Sequence, residues 1–271
     1  MGICRLPMQI VVPSSGPPKG KTLDEYTWEE ISYISSNGLA GEYGFQVGGA
    51  KAITLNGTVG DLTLDNYQTY AFIIGINHNT ELEGNNLIHF QVGKTALSSG
   101  VDIAFTASQL YMNTSSTNVG GWKESYMRNS ICGASLTSYS GTFISAIPDD
   151  LRLVLKPVIK YTDNVGGASG NVAANITNTV DYFFLLSDYE IFGTISNSND
   201  YEADYQQQYA YYAAQNSKIK YTYRNTNNTC IYWSRSLGRV SDNRFVIVSA
   251  SGAATTVGAS MSYGVPPCFC V

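Results

Sequence analysis

Between residues 45 and 91 apolar and polar positions alternate in four short runs, 52–55, 61–64, 70–76 and 87–91, separated by Asn and Gly. Such a period-two pattern, rich in β-branched and aromatic residues, predicts strands. Elsewhere the spacing becomes helical. Thr27 stands three residues before Glu30, Ile31 and Ile34 follow, and Gly38 ends the run, which predicts a short helix over 28–36. Trp122 with Tyr126, and Met127 with Ile131, are i, i+4 pairs and predict a second helix over 121–131. Pro148, Asp149 and Asp150 open a third. The apolar run 181–186 reads as a buried strand. Ser187 and Glu190 form a capping box for a helical turn ended by Gly193. Tyr201, Tyr205, Tyr209 and Tyr212 fall on one helical face, predicting a helix over 201–216 that packs its rings on the sheet. No repeat of 20–50 residues is present, and strands and short helices interleave without βαβ regularity. The expected class is therefore α+β with mostly antiparallel strands and several short helices.

The chain of 271 residues is long enough for one large domain. Residues 1–22 hold four of the eight prolines and read as an extended leader, which leaves 23–271 as a single domain. Charged residues make up only 14% and apolar residues 44%, so neither disorder nor coiled coil fits. The net charge of −5 and the lack of a basic run argue against a nucleic-acid partner. No apolar run approaches the roughly 18 residues of a membrane span. Leu6 stands where a myristoylation signal after Gly2 needs Ser or Thr.

Candidate chemistry is sparse. The five cysteines include no C-x-x-C pair, and Cys268 and Cys270 fall on one face of a terminal strand, where burial is expected. Neither His78 nor His89 has a second ligand at metal-binding spacing, so no metal and no cofactor is expected. Gly93-Lys94-Thr95 resembles the end of a phosphate loop, but Ile88 stands where its first glycine belongs. Glu81 and Glu83 read as part of a solvated loop, and Asp149, Asp150 and Glu190 as local caps. No catalytic residue is assigned.

The C-terminal third has a pattern of its own. Trp233-Ser234-Arg235-Ser236 is followed by Phe245, Val248 and Gly252, then by 264–269, Gly-Val-Pro-Pro-Cys-Phe. This frame, with segments 122–128, 147–148, 185–190 and 206–212 upstream, resembles a recurrent domain of gut bacteria and their phages over roughly residues 45–271. That family is similar to the C-type-lectin-like fold shared with formylglycine-generating enzymes. Several proteins with this frame are variable proteins of diversity-generating retroelements, in which copying errors at template adenines rewrite Asn-type codons. The resemblance implies a C-type-lectin-like domain with a variable segment over 236–263. Codons of the form AAY, changed at both adenines, cannot encode Lys, Glu, Gln, Trp or Met, and none of these occurs from Arg235 to Ser260. Met261 falls outside the set. The Trp-Asn-Asp signature of calcium-dependent sugar binding is missing.

On this reading Trp233, Phe245 and Val248 anchor the core, Arg235 is a structural cation paired to a carboxylate or carbonyl, and the filler between them is free to vary. The implied contact positions are Leu237, Arg239, Val240, Ser241, Asp242, Asn243, Arg244, Ile247, Ser249, Ser251, Ala253, Thr255, Thr256, Ser260, Ser262 and Tyr263, with Tyr263 as an aromatic anchor. The implied function is non-enzymatic binding of a protein or cell-surface ligand, from a phage tail tip or a bacterial surface. An oligomer is compatible with it, and a cytoplasmic location stays open. The alternatives are a structural tail protein without diversification and a formylglycine-generating type of enzyme using Cys268 or Cys270.

Overall fold

The computed structural model describes residues 16–271, so the first fifteen residues of the expected leader and Cys4 lie outside it. The stretch 16–22 lies along the body: the Tyr43 hydroxyl donates to the Pro17 carbonyl at 2.9 Å and the Tyr26 hydroxyl to the Pro18 carbonyl at 3.0 Å. The class is α+β with mostly antiparallel sheets, as expected. No helix among the described residues is long and apolar enough to cross a membrane.

Strands β1 (Ala50–Val59) and β2 (Leu62–Ile76) form a hairpin with Gly60 at φ +58° in its two-residue turn. The runs 61–64 and 70–76 are thus one strand. They look separate because Asp65 and Asn66 together oppose Asn56 in a bulge, with Asn66 left-handed at φ +46°. Strand β3 (Ile88–Lys94) pairs with β2, and the chain's last strand then inserts beside β3.

The remaining strands are β4 (Ile103–Ala104), β5 (Val158–Asp163), β6 (Ile176–Asp181), β7 (Phe183–Phe184), β8 (Lys220–Thr222), β9 (Asn225–Cys230), β10 (Tyr232–Leu237), β11 (Arg244–Val248), β12 (Ala254–Gly258) and β13 (Cys268–Cys270). The central sheet has the order β1-β2-β3-β13-β7, entirely antiparallel. β10-β11-β12 form an antiparallel meander, β5 pairs with β6, and β4-β8-β9 holds the one parallel pair in these sheets, β4 with β8. Phe269 of β13 stacks between Phe90 of β3 and Phe183 of β7, at 5.3 and 5.4 Å between centroids, with Trp28 edge-on. These rings sit in one continuous core.

The helix Trp28–Ser36 and its Thr27–Glu30 capping box form as predicted, and so does Asp188–Phe192 behind Ser187, ended by Gly193 at φ +69°. The third helix is the single turn Asp149–Arg152 behind Pro148. Three expectations are corrected. The run 121–131 breaks into Gly121–Glu124 and a π-helical turn Met127–Cys132, because Ser125 is extended at ψ 145°. Its hydroxyl donates to the Trp122 carbonyl and accepts from the Arg128 amide, capping the second piece. The run 181–186 is shared between sheets: Asp181 ends β6, and only Phe183–Phe184 pairs in the central sheet. The tyrosine-faced helix over 201–216 does not exist. A 3-10 helix Asp200–Tyr205 and the turn Ala210–Ala213 flank an extended Gln206, whose amide donates to the Tyr161 carbonyl at 2.6 Å. Tyr209 and Tyr212 are buried, whereas Tyr201 is 42% exposed.

Candidate functional site

Four charged side chains from four separate elements meet in the interior. β5 carries Lys160, β10 carries Arg235, the helix Asp188–Phe192 carries Glu190 and the turn Thr80–Glu83 carries Glu83. The Lys160 ammonium donates to Glu83 Oε1 at 2.9 Å, to Glu190 Oε1 at 3.1 Å and to the Tyr209 hydroxyl at 2.7 Å. Arg235 holds Glu190 through both terminal nitrogens and donates to the carbonyls of Leu185 and Tyr161. It is thus the paired structural cation expected of it. The capping box explains why Glu190 points inward: the same carboxylate accepts from the Ser187 amide at 3.0 Å. Burial alone would raise its pKa, but Arg235 and Lys160 hold it well below the usual carboxylate range. Burial wins at Glu83, whose pKa rises to about 7 although Lys160 opposes the shift.

The reading of Glu81 and Glu83 as a solvated loop is therefore corrected for Glu83, which is buried, while Glu81 is exposed. Two imidazoles complete the cluster. His78 stacks on Tyr209 with ring centroids 3.7 Å apart and its Nε2 lies 3.8 Å from Glu83 Oε1. His89 Nδ1 lies 3.0 Å from the Tyr209 hydroxyl and 3.1 Å from Cys270 Sγ. Desolvation lowers His78 to about 3 and His89 well below its ordinary value, so both rings are neutral.

His78, Glu83 and Glu190 each offer a donor atom within 4.8 Å of the others, a spacing that invites a metal ion. Lys160 decides against it, because its ammonium already bridges both carboxylates where a cation would sit. With Glu83 raised to about 7, the carboxylates at most match the charge of the two cations, and a divalent ion would add uncompensated positive charge to a sealed interior. The cluster reads as a buried ion-pair network. Nearby, Glu202 accepts from the Ser236 and Thr162 hydroxyls, both at 2.6 Å, and burial raises its pKa to about 7.

The expected contact positions do not share one environment. Leu237 and Ile247 are 2% and 1% exposed, so they are core residues and cannot touch a ligand. Ser236, expected to open the variable segment, is fully buried between Glu202 and the Asp188 amide. Arg239, Val240, Ser241, Asp242 and Asn243 form the β10–β11 turn, with Val240 84% exposed, and Arg244 opens β11. Asn118 steadies this turn by donating to the Ser241 and Arg244 carbonyls. Arg239 donates to Asp200 Oδ1 at 2.6 Å. Ser249, Ser251 and Ala253 sit at the other end of β11, in the turn to β12, with the Ser249 and Ser251 hydroxyls 3.0 Å apart. Ser260 and Ser262 follow β12, and Tyr263 leans edge-on against Trp233 at 5.4 Å, which makes its ring part of the scaffold. Thr255 is exposed on β12, and Thr256 faces Arg244, whose Nη1 donates to the Thr256 carbonyl.

Arg239, Val240, Ser241, Arg244 and Thr256 converge with Ser196 and Asn197 on an open cleft of about 360 Å³. A family model described as a domain of unknown function, DUF6273, matches residues 97–271. The chain belongs to the DUF6273 family. No curated protein and no solved structure matches it. The DUF6273 region supplies Lys160, Glu190 and Arg235 and both ends of the cleft, while Glu83, His78 and His89 come from the segment that precedes it. The interior network therefore joins the β2–β3 connection and β3 to the DUF6273 region. Only Arg235 was legible as a member, because Glu83 and Lys160 are 77 residues apart and share no local pattern.

Proposed function

We propose that this DUF6273 protein is a non-enzymatic binding protein that takes its ligand in the cleft at the β10–β11 turn. The observation that carries the reading is the convergence of five expected contact positions on one open cleft, above strands whose anchors Trp233, Phe245 and Val248 are buried. A rigid scaffold with exposed turn residues lowers the ordering cost of binding. The finer reading is a C-type-lectin-like variable protein of a diversity-generating retroelement, displayed on a phage tail tip or a bacterial surface. Separation of buried anchors from exposed filler supports it, since filler can change without opening a core cavity.

Sequencing the coding region across a propagated population tests this reading. Adenine-directed substitutions are expected in codons 239–244, 249–251, 253–256, 260 and 262, with Ser236, Leu237, Ile247 and the four frame positions Trp233, Phe245, Gly252 and Gly264 unchanged. An invariant segment with no near-duplicate template would leave the structural tail protein standing. In the purified protein, Val240→Asp and Arg244→Glu are each expected to move the thermal midpoint by no more than about 2 °C, as exposed positions should. A larger drop would make the turn part of the fold and not display surface.

Against the enzyme alternative, Cys268 and Cys270 are fully buried. Burial pushes the Cys268 thiol up to about 12 and Cys270 well above its ordinary value. Aromatic-disulfide labelling of the native protein at pH 7 is expected to modify both on the order of 10³-fold more slowly than in denaturant. Fast native labelling of either would revive the formylglycine-type reading.

A further inference from the structure

A second cleft, of about 560 Å³, opens on another part of the molecule and contains none of the residues 236–263. Its floor is charged and largely buried. Lys94 ends β3, and its ammonium donates to Asp102 Oδ1 at 3.1 Å and to the Tyr211 hydroxyl at 3.2 Å. An ammonium has three donors, and these two acceptors leave one over. Behind the floor Lys220 lies 3.6 Å from Asp102 Oδ2 and donates to Gln91 Oε1 at 2.6 Å. Asp102 therefore faces two lysines with one charge. The side of the cleft is apolar and open to water: Val47, Leu97 and Val101 are 36%, 44% and 38% exposed. Beyond Val47 and Leu97 a further cleft of about 410 Å³ continues over Leu23 and Phe45. The loop that shapes the rim is tied across its base, where the Val101 amide donates to Thr95 Oγ1 at 2.9 Å and the Thr95 amide to the Val101 carbonyl.

We propose that this cleft binds a small monoanion with a short apolar body, its head group on Lys94 and its body over Leu97, Val101 and Val47. The surplus positive charge selects the head, because an anion there relieves the repulsion between two ammoniums that share one carboxylate. Lysine acts as a point charge, so no fork-shaped geometry is imposed on the ligand. The adjoining apolar positions select the body, because covering them removes exposed hydrocarbon from water. The Gly93-Lys94-Thr95 tripeptide thus holds an anion site without a phosphate loop: β3 ends at Lys94 and no helix follows it directly.

The test is isothermal titration of the full chain with hexanoate, hexanol and inorganic phosphate as probes. Saturable binding of hexanoate, at least tenfold tighter than hexanol, is expected. Ser99→Asp adds a negative charge at the rim, at an exposed residue whose φ of +57° aspartate tolerates. It should weaken hexanoate about tenfold and leave hexanol unchanged, an effect that fades with added salt. Lys94→Met should abolish the preference for hexanoate over hexanol, with the thermal midpoint measured alongside to show that the variant is folded. Leu97→Ser should weaken both organic probes alike. Absence of saturable hexanoate binding would overturn the proposal. So would hexanoate affinity that Ser99→Asp leaves unchanged, or phosphate binding tighter than hexanoate.

Discussion

Arg235→Met is expected to cost about 3–5 kcal/mol of stability, the penalty for stranding a buried charge, and to lower the thermal midpoint by on the order of 10 °C. The guanidinium is fully buried and holds Glu190 through two nitrogens while donating to two carbonyls. Methionine fills part of the volume and returns none of those donors. Lys160 remains beside Glu190, but it already serves Glu83 and Tyr209 and cannot replace a fork. The pair should also be coupled. Glu190→Gln removes the charge while keeping an acceptor near the Ser187 amide, so the double variant should lose less than the sum of the singles, by about 1–3 kcal/mol. Calorimetry of the three variants decides the matter. A drop below about 3 °C for Arg235→Met would mean that Lys160 alone satisfies Glu190.

What could be read from the chain beforehand was what is decided within a few residues. The boxes Thr27–Glu30 and Ser187–Glu190 set their helices because both partners lie in one turn. The β10–β11 turn residues were legible as exposed because they sit between two apolar runs. Failures came where a distant partner outbid local pattern. The tyrosine spacing over 201–212 is sound helix grammar, but the Gln206 amide donates to the Tyr161 carbonyl while its Oε1 accepts from the Ser187 hydroxyl, and the helix breaks there. Leu237 and Ile247 look like filler by their position between the anchors, but β10 and most of β11 are buried. The interior network was illegible for the same reason that it matters. Its members lie on four elements, and a lone His, Lys or Glu carries no sign of whom it will meet.

Stability is expected to be nearly flat between about pH 4.5 and 6.5 and to fall steeply below pH 4.5, and the same network sets both regimes. Glu83 and Glu202, raised from 4.5 to about 7, keep protons in the folded state that the unfolded chain has released, which makes stability fall as pH rises through this window. His78, lowered from 6.5 to about 3, and His89, also lowered, do the opposite: the unfolded chain binds protons that the folded state refuses, so stability rises with pH. Two protons against two cancel. Below pH 4.5 the two raised carboxyls are protonated in both states and drop out. The histidines still refuse protons, and Glu190, held low by Arg235 and Lys160, stays ionised after its unfolded counterpart has protonated. At these groups the unfolded chain then binds about three protons more, worth roughly 4 kcal/mol per pH unit. His78→Phe keeps a ring on Tyr209 and removes one titration. Its profile should tilt across the window, losing roughly 1.4 kcal/mol per unit of rising pH relative to the parent. Urea unfolding at pH 4.5, 5.5 and 6.5 reads that slope directly, and parallel profiles for parent and variant would show that His78 is charged in the folded protein.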